Sequence, residues 1–182
     1  MSSVRITGGF LKGKKLYVPS FIRPTQEKFK KALFDILGDS VNEAFFLDLF
    51  AGSGNVGIEA ISRGARFVYF VEKSLICIKA IKKNVKELNI EDKVKIIKGD
   101  VLTFLRKNKE IFDIIFADPP YNFKIKIDLI NSIFKILETK RGILIFETSK
   151  RTKINSLREL IKREETYGES KILFFGNLPR KF

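Results

Sequence analysis

From Phe45 onward the sequence alternates short, nearly unbroken apolar runs with amphipathic segments, and few folds accommodate that pattern. A strand buried on both faces reads as a continuous apolar run, and the helix that covers it repeats every 3.6 residues. The alternation therefore predicts a parallel sheet wound with helices. Strands are expected at 45–50, 67–72, 94–98, 112–117 and 142–147, with helices near 55–63, 74–88, 101–108, 125–138 and 153–163. "EETYG" and "KILFFG" should close the chain as an antiparallel pair around Gly168 to Ser170. Right-handed crossovers make such a chain a doubly wound α/β sheet, whose ligands gather at the carboxyl edge where strand order reverses. On the usual plan that crevice opens between the first and fourth strands of the series.

Ahead of this region, "RITGGFLKGKKLYVP" alternates and turns on glycines, which suggests a small hairpin. Residues 1–22 are expected to form this basic appendage, and residues 23–182 the main domain. "RPT" at 23–25 opens a helix to about Leu37, capped by Thr25, with Phe29, Leu33, Ile36 and Leu37 at helical spacing. A chain of 182 residues suits one such domain with a packed core. No run approaches the roughly 18 apolar residues of a membrane span, and "MSSVRITGG" lacks the apolar core of a signal peptide, so a cytoplasmic location and no membrane partner are expected.

Two absences prune the chemistry. Histidine is missing altogether and Cys77 is the single cysteine, so a histidine base, an internal disulfide and a Cys/His zinc site are all excluded. Cys77 falls within a helical pattern, where a buried inert thiol is the ordinary outcome, and it is given no role. The net charge of +14 suits a polyanionic partner, nucleic acid first, although most of the basic residues are lysine and compositional drift would raise lysine without any partner.

"LDLFAGSGNVG", Leu47 to Gly57, satisfies GxGxxG at Gly52, Gly54 and Gly57. Glycines there let the backbone turn sharply and approach a ligand at the next helix's N-terminus. Glu72 follows twenty residues after Gly52, a spacing that favours an acid accepting from ribose hydroxyls over one that merely begins the next helix. NAD and S-adenosylmethionine fit the loop alike. Asp48 separates them, since a carboxylate favours the ammonium and sulfonium of S-adenosylmethionine and repels a pyrophosphate. Asp100, after "KIIKGD", can accept from an adenine amino group or simply cap a helix.

"DPPYNF", residues 118–123, ends the fourth apolar run with a carboxylate, two prolines and an aromatic ring. The prolines remove two backbone donors, which leaves the Asp118 and Pro119 carbonyls facing outward with no ladder to join. An amine conjugated to a nucleobase is a poor nucleophile. The Asp118 carboxylate and the Pro119 carbonyl can hold both its hydrogens and turn its lone pair toward a methyl donor. A sulfonium methyl is already activated, so alignment, worth up to roughly 7–11 kcal/mol, is the main need. Tyr121 offers a ring for stacking on an extruded base, against the plainer reading of a packed aromatic. Cytosine C5 methylation is disfavoured because it needs a cysteine nucleophile, and Cys77 is expected on the wrong element for this crevice.

Taken in order, "RITGGFLKGKKL", "RPTQEKFKKALFDIL", "LDLFAGSGNVGIEAISRGA", "FADPPY" and "ETYGESKILFF" closely resemble the RsmD-type 16S ribosomal RNA guanine-N2 methyltransferases. The resemblance spans nearly the whole chain, whereas "DPPY" alone is shared with adenine methyltransferases. It implies a Rossmann-like class I S-adenosylmethionine fold with a seven-stranded, mostly parallel sheet, and methylation of one guanine of 16S rRNA in the small ribosomal subunit or an assembly intermediate, by a monomer. It implies cofactor contacts from Asp48, Phe50, Ala51, Gly52, Ser53 and Gly54, from Glu72 with Lys73, and from Asp100 with Val101. Catalysis would fall to Asp118, Pro119, Pro120 and Tyr121. RNA would meet Arg5, Lys12, Lys14 and Lys15, with Arg23 and Thr25 touching RNA or cofactor, or only starting a helix; no metal is implied. The alternatives are an adenine-N6 methyltransferase, a nicotinamide oxidoreductase that would leave "DPPY" unexplained, and a silent RNA-binding module. Sequence spacing does not choose guanine over adenine.

Overall fold

The computed structural model describes residues 2–22, 27–120, 127–152, 154–176 and 178. In chain order the elements are β1 (Ser2–Arg5), β2 (Lys15–Val18), α1 (Glu27–Leu37), β3 (Phe45–Leu49), α2 (Asn55–Ser62), β4 (Phe67–Glu72), α3 (Leu75–Glu87), β5 (Val94–Lys98), α4 (Val101–Lys107), β6 (Ile114–Ala117), α5 (Ile127–Phe134), β7 (Ile143–Ser149), β8 (Ile161–Tyr167) and β9 (Ser170–Gly176). β1 and β2 pair as an antiparallel hairpin. The other seven strands form one sheet in the order β5-β4-β3-β6-β7-β9-β8. β3 to β7 run parallel, and β9 lies antiparallel between β7 and β8. This is the doubly wound α/β sheet read from the alternation, closed by an antiparallel pair, and its seven mostly parallel strands agree with the fold the resemblance implies. The reversal falls at β3, which has β4 on one side and β6 on the other.

The period-2 pleat sorts the strand residues onto two cores. Phe46, Phe70, Phe116, Ile145 and Phe174 face α1, α2 and α3, and the hairpin residues Val4, Ile6, Leu16 and Val18 belong to the same buried cluster. Leu47, Leu49, Val71, Ile115, Leu144 and Phe146 pack with α4 and α5 on the opposite face. Burying one such aliphatic or phenyl side chain contributes roughly 1.5–3 kcal/mol, so the two cores outweigh any single polar contact. The helices start on local signals. The Ser74 hydroxyl accepts from Cys77 N at 3.4 Å to cap α3, and Asp100 accepts from Thr103 N at 3.1 Å to cap α4.

Hydrogen bonds tie the hairpin to the helices. Tyr17 N donates to Asn84 Oδ1 at 2.8 Å, Leu11 N to Ser62 Oγ at 3.0 Å, and Phe10 N to Ser62 O at 2.9 Å. A Cβ on Gly9, which has φ of 75°, would lie 1.6 Å from Ser62 O, so only glycine permits this approach. Below the hairpin, Lys30 of α1 and Glu59 of α2 form a wholly buried ion pair at 3.0 Å.

Among the described residues 154–163 the expected helix of 153–163 is not formed. Asn155–Leu160 is a short 3-10 segment, and from Ile161 the chain is strand β8. "IKREETY" is rich in helix formers, but half-buried and exposed positions alternate along it and β9 offers an open edge. Lys171 on β9 meets Glu164 at 3.0 Å across that ladder. Tertiary pairing overrode local propensity.

Candidate active site

The glycine turn leaves β3 under strain. Phe50 adopts φ of 63°, a left-handed conformation costly for a bulky residue, and Gly52 follows at 55°. A Cβ on Gly52 would meet nothing within 4 Å, so that bend faces open space. Gly57 serves packing instead, because a Cβ there would lie 2.3 Å from the Phe70 ring. Two carboxylates hold the turn. Asp48 Oδ2 accepts from Gly57 N at 2.9 Å, and Glu72 Oε2 accepts from Gly52 N at 2.8 Å. Glu72 Oε1 also accepts from Lys73 N and Ser74 N, both at 2.8 Å, so this side chain does begin the next helix while bracing the loop.

The twin-proline segment sits against the same turn. Asp118 N donates to Leu49 O at 3.5 Å, and a single cavity of about 630 Å³ runs from Gly52 to Asp118, Pro119 and Pro120. That volume lies in the usual range for small-ligand sites. Asp48, Phe50, Ala51, Ser53, Lys73, Val101 and the residues just named line it together with Glu72 and Asp100. Gly54 does not; it turns toward Ile81 and Phe70 as the left-handed N-cap of α2. Arg5, Lys12, Lys14 and Lys15 lie outside the cavity, on the hairpin. Arg23, Thr25 and Tyr121 lie outside the described residues.

Three acids project from one face of the sheet at the ends of three adjacent strands. The register pairs Asp48 with Phe116, and Ala117 with Phe146. Asp118 and Glu147 therefore stand side by side, one pleat outward of Asp48. Burial, and then the charge of Glu147, push the Asp118 carboxyl up to about 8. Burial also raises Asp48 well above the usual carboxylate range, against the Gly57 N–H and with the charges of Asp118 and Glu72. In a chain of net charge +14, Lys73 is the one basic residue among the described residues lining the cavity. Such a lining suits a cationic ligand and opposes a pyrophosphate. The donor set fits S-adenosylmethionine: acids for the ammonium and sulfonium, and Val101, Ile22 and Phe29 as apolar walls. Among the described residues no group of acids is placed to hold a metal ion.

The sequence reading missed Glu147, Phe29 and the β8–β9 turn from Tyr167 to Ser170, all of which border the cavity. A signal for Glu147 existed. "YFVE", "FAD" and "LIFE" each end a buried apolar run with a carboxylate that lines the cavity. Cys77 requires a correction: its helix does reach the cavity wall. It stands near Glu72, and burial raises its thiol, which leaves it a poor nucleophile.

Known proteins resemble this chain in sequence and fold. The family model described as "Conserved hypothetical protein 95" matches residues 4–176. Ribosomal RNA small subunit methyltransferase D of Buchnera aphidicola is 39% identical over 145 residues, 78% of this chain and 73% of the relative. The Haemophilus influenzae protein of the same name is 35% identical over 153 residues, 81% of this chain and 79% of its own length. A solved Escherichia coli structure described as a candidate methyltransferase, YhhF, superposes with a TM-score of 0.86 at 26% identity, covering 96% of this chain and 98% of its own. With one family model spanning hairpin, glycine turn, twin-proline segment and closing strands, and with relatives at this identity over most of both chains, the protein belongs to the ribosomal RNA small subunit methyltransferase D family.

Proposed function

We propose that the chain uses S-adenosylmethionine to methylate the exocyclic N2 amine of a guanine in 16S rRNA, as a monomer acting in the cytoplasm on the RNA or a partly assembled small subunit. The observation that carries this reading is the single acid-lined cavity shared by the glycine turn and the twin-proline segment. When bound, the cofactor supplies an electrophilic methyl group on a sulfonium, which departs as a neutral thioether. The chain's own residues do the rest. Asp48 sits beneath the turn as a buried carboxyl poised to ionise beside a cation. Asp118 and the Pro119 carbonyl accept the two amine hydrogens and aim the nitrogen lone pair into the cavity. As the N–C bond forms, the nitrogen becomes acidic, and its proton passes to Asp118 or to water. No histidine is required.

An RNA partner explains the hairpin. Its turn holds Phe10 in solvent at 64% exposure, with Lys93 5.7 Å from the ring centroid. An exposed aromatic beside lysines suits stacking on an unpaired base, and Lys12, Lys14 and Lys15 suit the phosphates. Replacing these three lysines with glutamine should weaken RNA binding and flatten the log–log salt dependence by about 2 units. An unchanged slope, measured by filter binding between low and moderate salt, would move the RNA surface elsewhere.

Purified protein should be incubated with labelled cofactor and, separately, free ribosomal RNA, undermethylated small subunits and DNA, and the products identified by nucleoside mass spectrometry. N2-methylguanosine in small-subunit RNA is expected. N6-methyladenine in any arm would replace the proposed target. Equilibrium dialysis should show binding of S-adenosylmethionine and none of NAD; binding of neither would indicate a silent RNA-binding module.

A further inference from the structure

Guanine and adenine differ at the edge that carries the reacting amine. Beside its N2 amine, guanine presents N1–H, a donor. Beside its N6 amine, adenine presents N1 with a bare lone pair, an acceptor. A site that grips only the amine, as Asp118 and Pro119 can, treats both bases alike. Discrimination needs a second acceptor placed one atom along the ring.

β7 supplies one. Glu147 is 9% exposed, lines the cavity, and lies on the face of the sheet that carries Asp118. The registered pair Ala117 and Phe146 puts Glu147 level with Asp118 on the neighbouring strand. Parallel neighbours are about 4.8 Å apart, so two carboxylates at this level can meet two adjacent donors on one base edge. Nothing in amine alignment calls for this second acid, and keeping a second carboxylate beside a buried Asp118 is costly, as the raised Asp118 shows. The exocyclic N2–H and the ring N1–H inserted between the two acids relieve that repulsion, whereas the adenine N1 lone pair adds to it.

We propose that Glu147 accepts a hydrogen bond from N1–H of the target base and is the residue that makes the site select guanine. The inference rests on the methyl-transfer reading above and deepens it.

The test compares guanine with 2-aminopurine at the target position of otherwise identical small-subunit RNA. 2-Aminopurine keeps the N2 amine and replaces N1–H with a lone pair. Wild-type protein should favour guanine in kcat/KM by at least about 100-fold, as expected where a buried acceptor is left facing the wrong group. In Glu147→Gln the side chain can donate as well as accept, and the preference should fall to about 10-fold or less, with S-adenosylhomocysteine affinity within a few fold of wild type. Should that variant fail to fold, Glu147→Asp serves in its place: it keeps the charge but shortens the reach, and should slow guanine methylation while retaining the preference. A guanine preference unchanged in Glu147→Gln, or lost in Glu147→Asp, overturns the role of Glu147 and leaves the methyltransferase reading intact. Wild-type protein that methylates no guanine in any small-subunit substrate overturns both.

Discussion

Asp118→Ala will lower methyl transfer by about 10²–10³-fold while leaving S-adenosylmethionine affinity within a few fold, because the role proposed for this carboxylate is to hold the amine rather than the cofactor. The same residue also sets a stability cost. Its carboxyl is pushed up to about 8 in the folded protein, from an ordinary value of 3.8, by burial and then by Glu147. A folded-state value above the unfolded one means that the native protein binds more protons between the two. Its contribution to stability is therefore full below about 3.8 and is lost as pH rises through about 8. Removing Asp118 removes that loss. Urea unfolding of the variant relative to wild type should improve by about 1–3 kcal/mol between pH 5 and pH 8.5, since a tenfold change in an ionisation constant corresponds to about 1.4 kcal/mol and Glu147 shares the cost. Wild-type kcat/KM should rise over the same range as the free enzyme's carboxyl ionises. Turnover near wild type in Asp118→Ala would refute its role, and a pH-independent stability difference would refute the electrostatic account.

Glu59→Gln will destabilise the fold by about 3–5 kcal/mol, the scale expected when one partner of a buried ion pair is removed. Glu59 collects Lys30 Nζ at 3.0 Å, Arg63 Nε at 2.9 Å, Thr7 N at 2.9 Å and the Thr7 hydroxyl at 2.7 Å. Burial alone would raise its carboxyl, but Lys30, the Thr7 amide and Arg63 together hold it below the usual range. Its neutral replacement strands the Lys30 ammonium, which is itself 0% exposed and then keeps only the Arg5 carbonyl at 2.8 Å and Asn55 Oδ1 at 2.6 Å. Adding Lys30→Met should recover part of the loss, because no uncompensated charge remains. The midpoint of urea unfolding reads both effects; a double variant that costs the sum of the singles would show that the charges do not compensate one another. Asn55 borders the cavity and Thr7 leads into the hairpin, so this pair joins the proposed RNA-facing element to the wall of the site.

Much of this is legible in the sequence. Parallel strands covered on both faces cannot hide their composition, and "FFLDL", "FVYFVE" and "IIFA" read as strands on that ground alone. The two ligand turns were equally plain. Glycine and proline act on the backbone where they stand, and a carboxylate beside either marks chemistry at that point. The failures share a cause. "IKR", residues 161–163, reads as the end of a helix until β9 is laid beside it, whereas "EETYG" reads correctly as a strand, and Tyr167 to Ser170 becomes a cavity wall only because β9 inserts between β7 and β8. Glu147 looked like an acid ending a strand until the register set it against Asp118. Nothing in the sequence marks Lys30 and Glu59, remote in the chain, as the wholly buried pair they form.

What the sequence by itself determined is therefore what local chemistry can encode: most of the strands and helices, and the glycine and twin-proline turns with their nearest acids. What only the tertiary structure decided is which side chains, remote in the chain, share one buried volume. That depends on strand order, register and pleat, and the free energy of a carboxyl depends on the neighbours those three bring to it. Asp118 is an ordinary acid in the sequence and a proton-holding one in the fold because the fold buries it and β7 delivers Glu147 to its side.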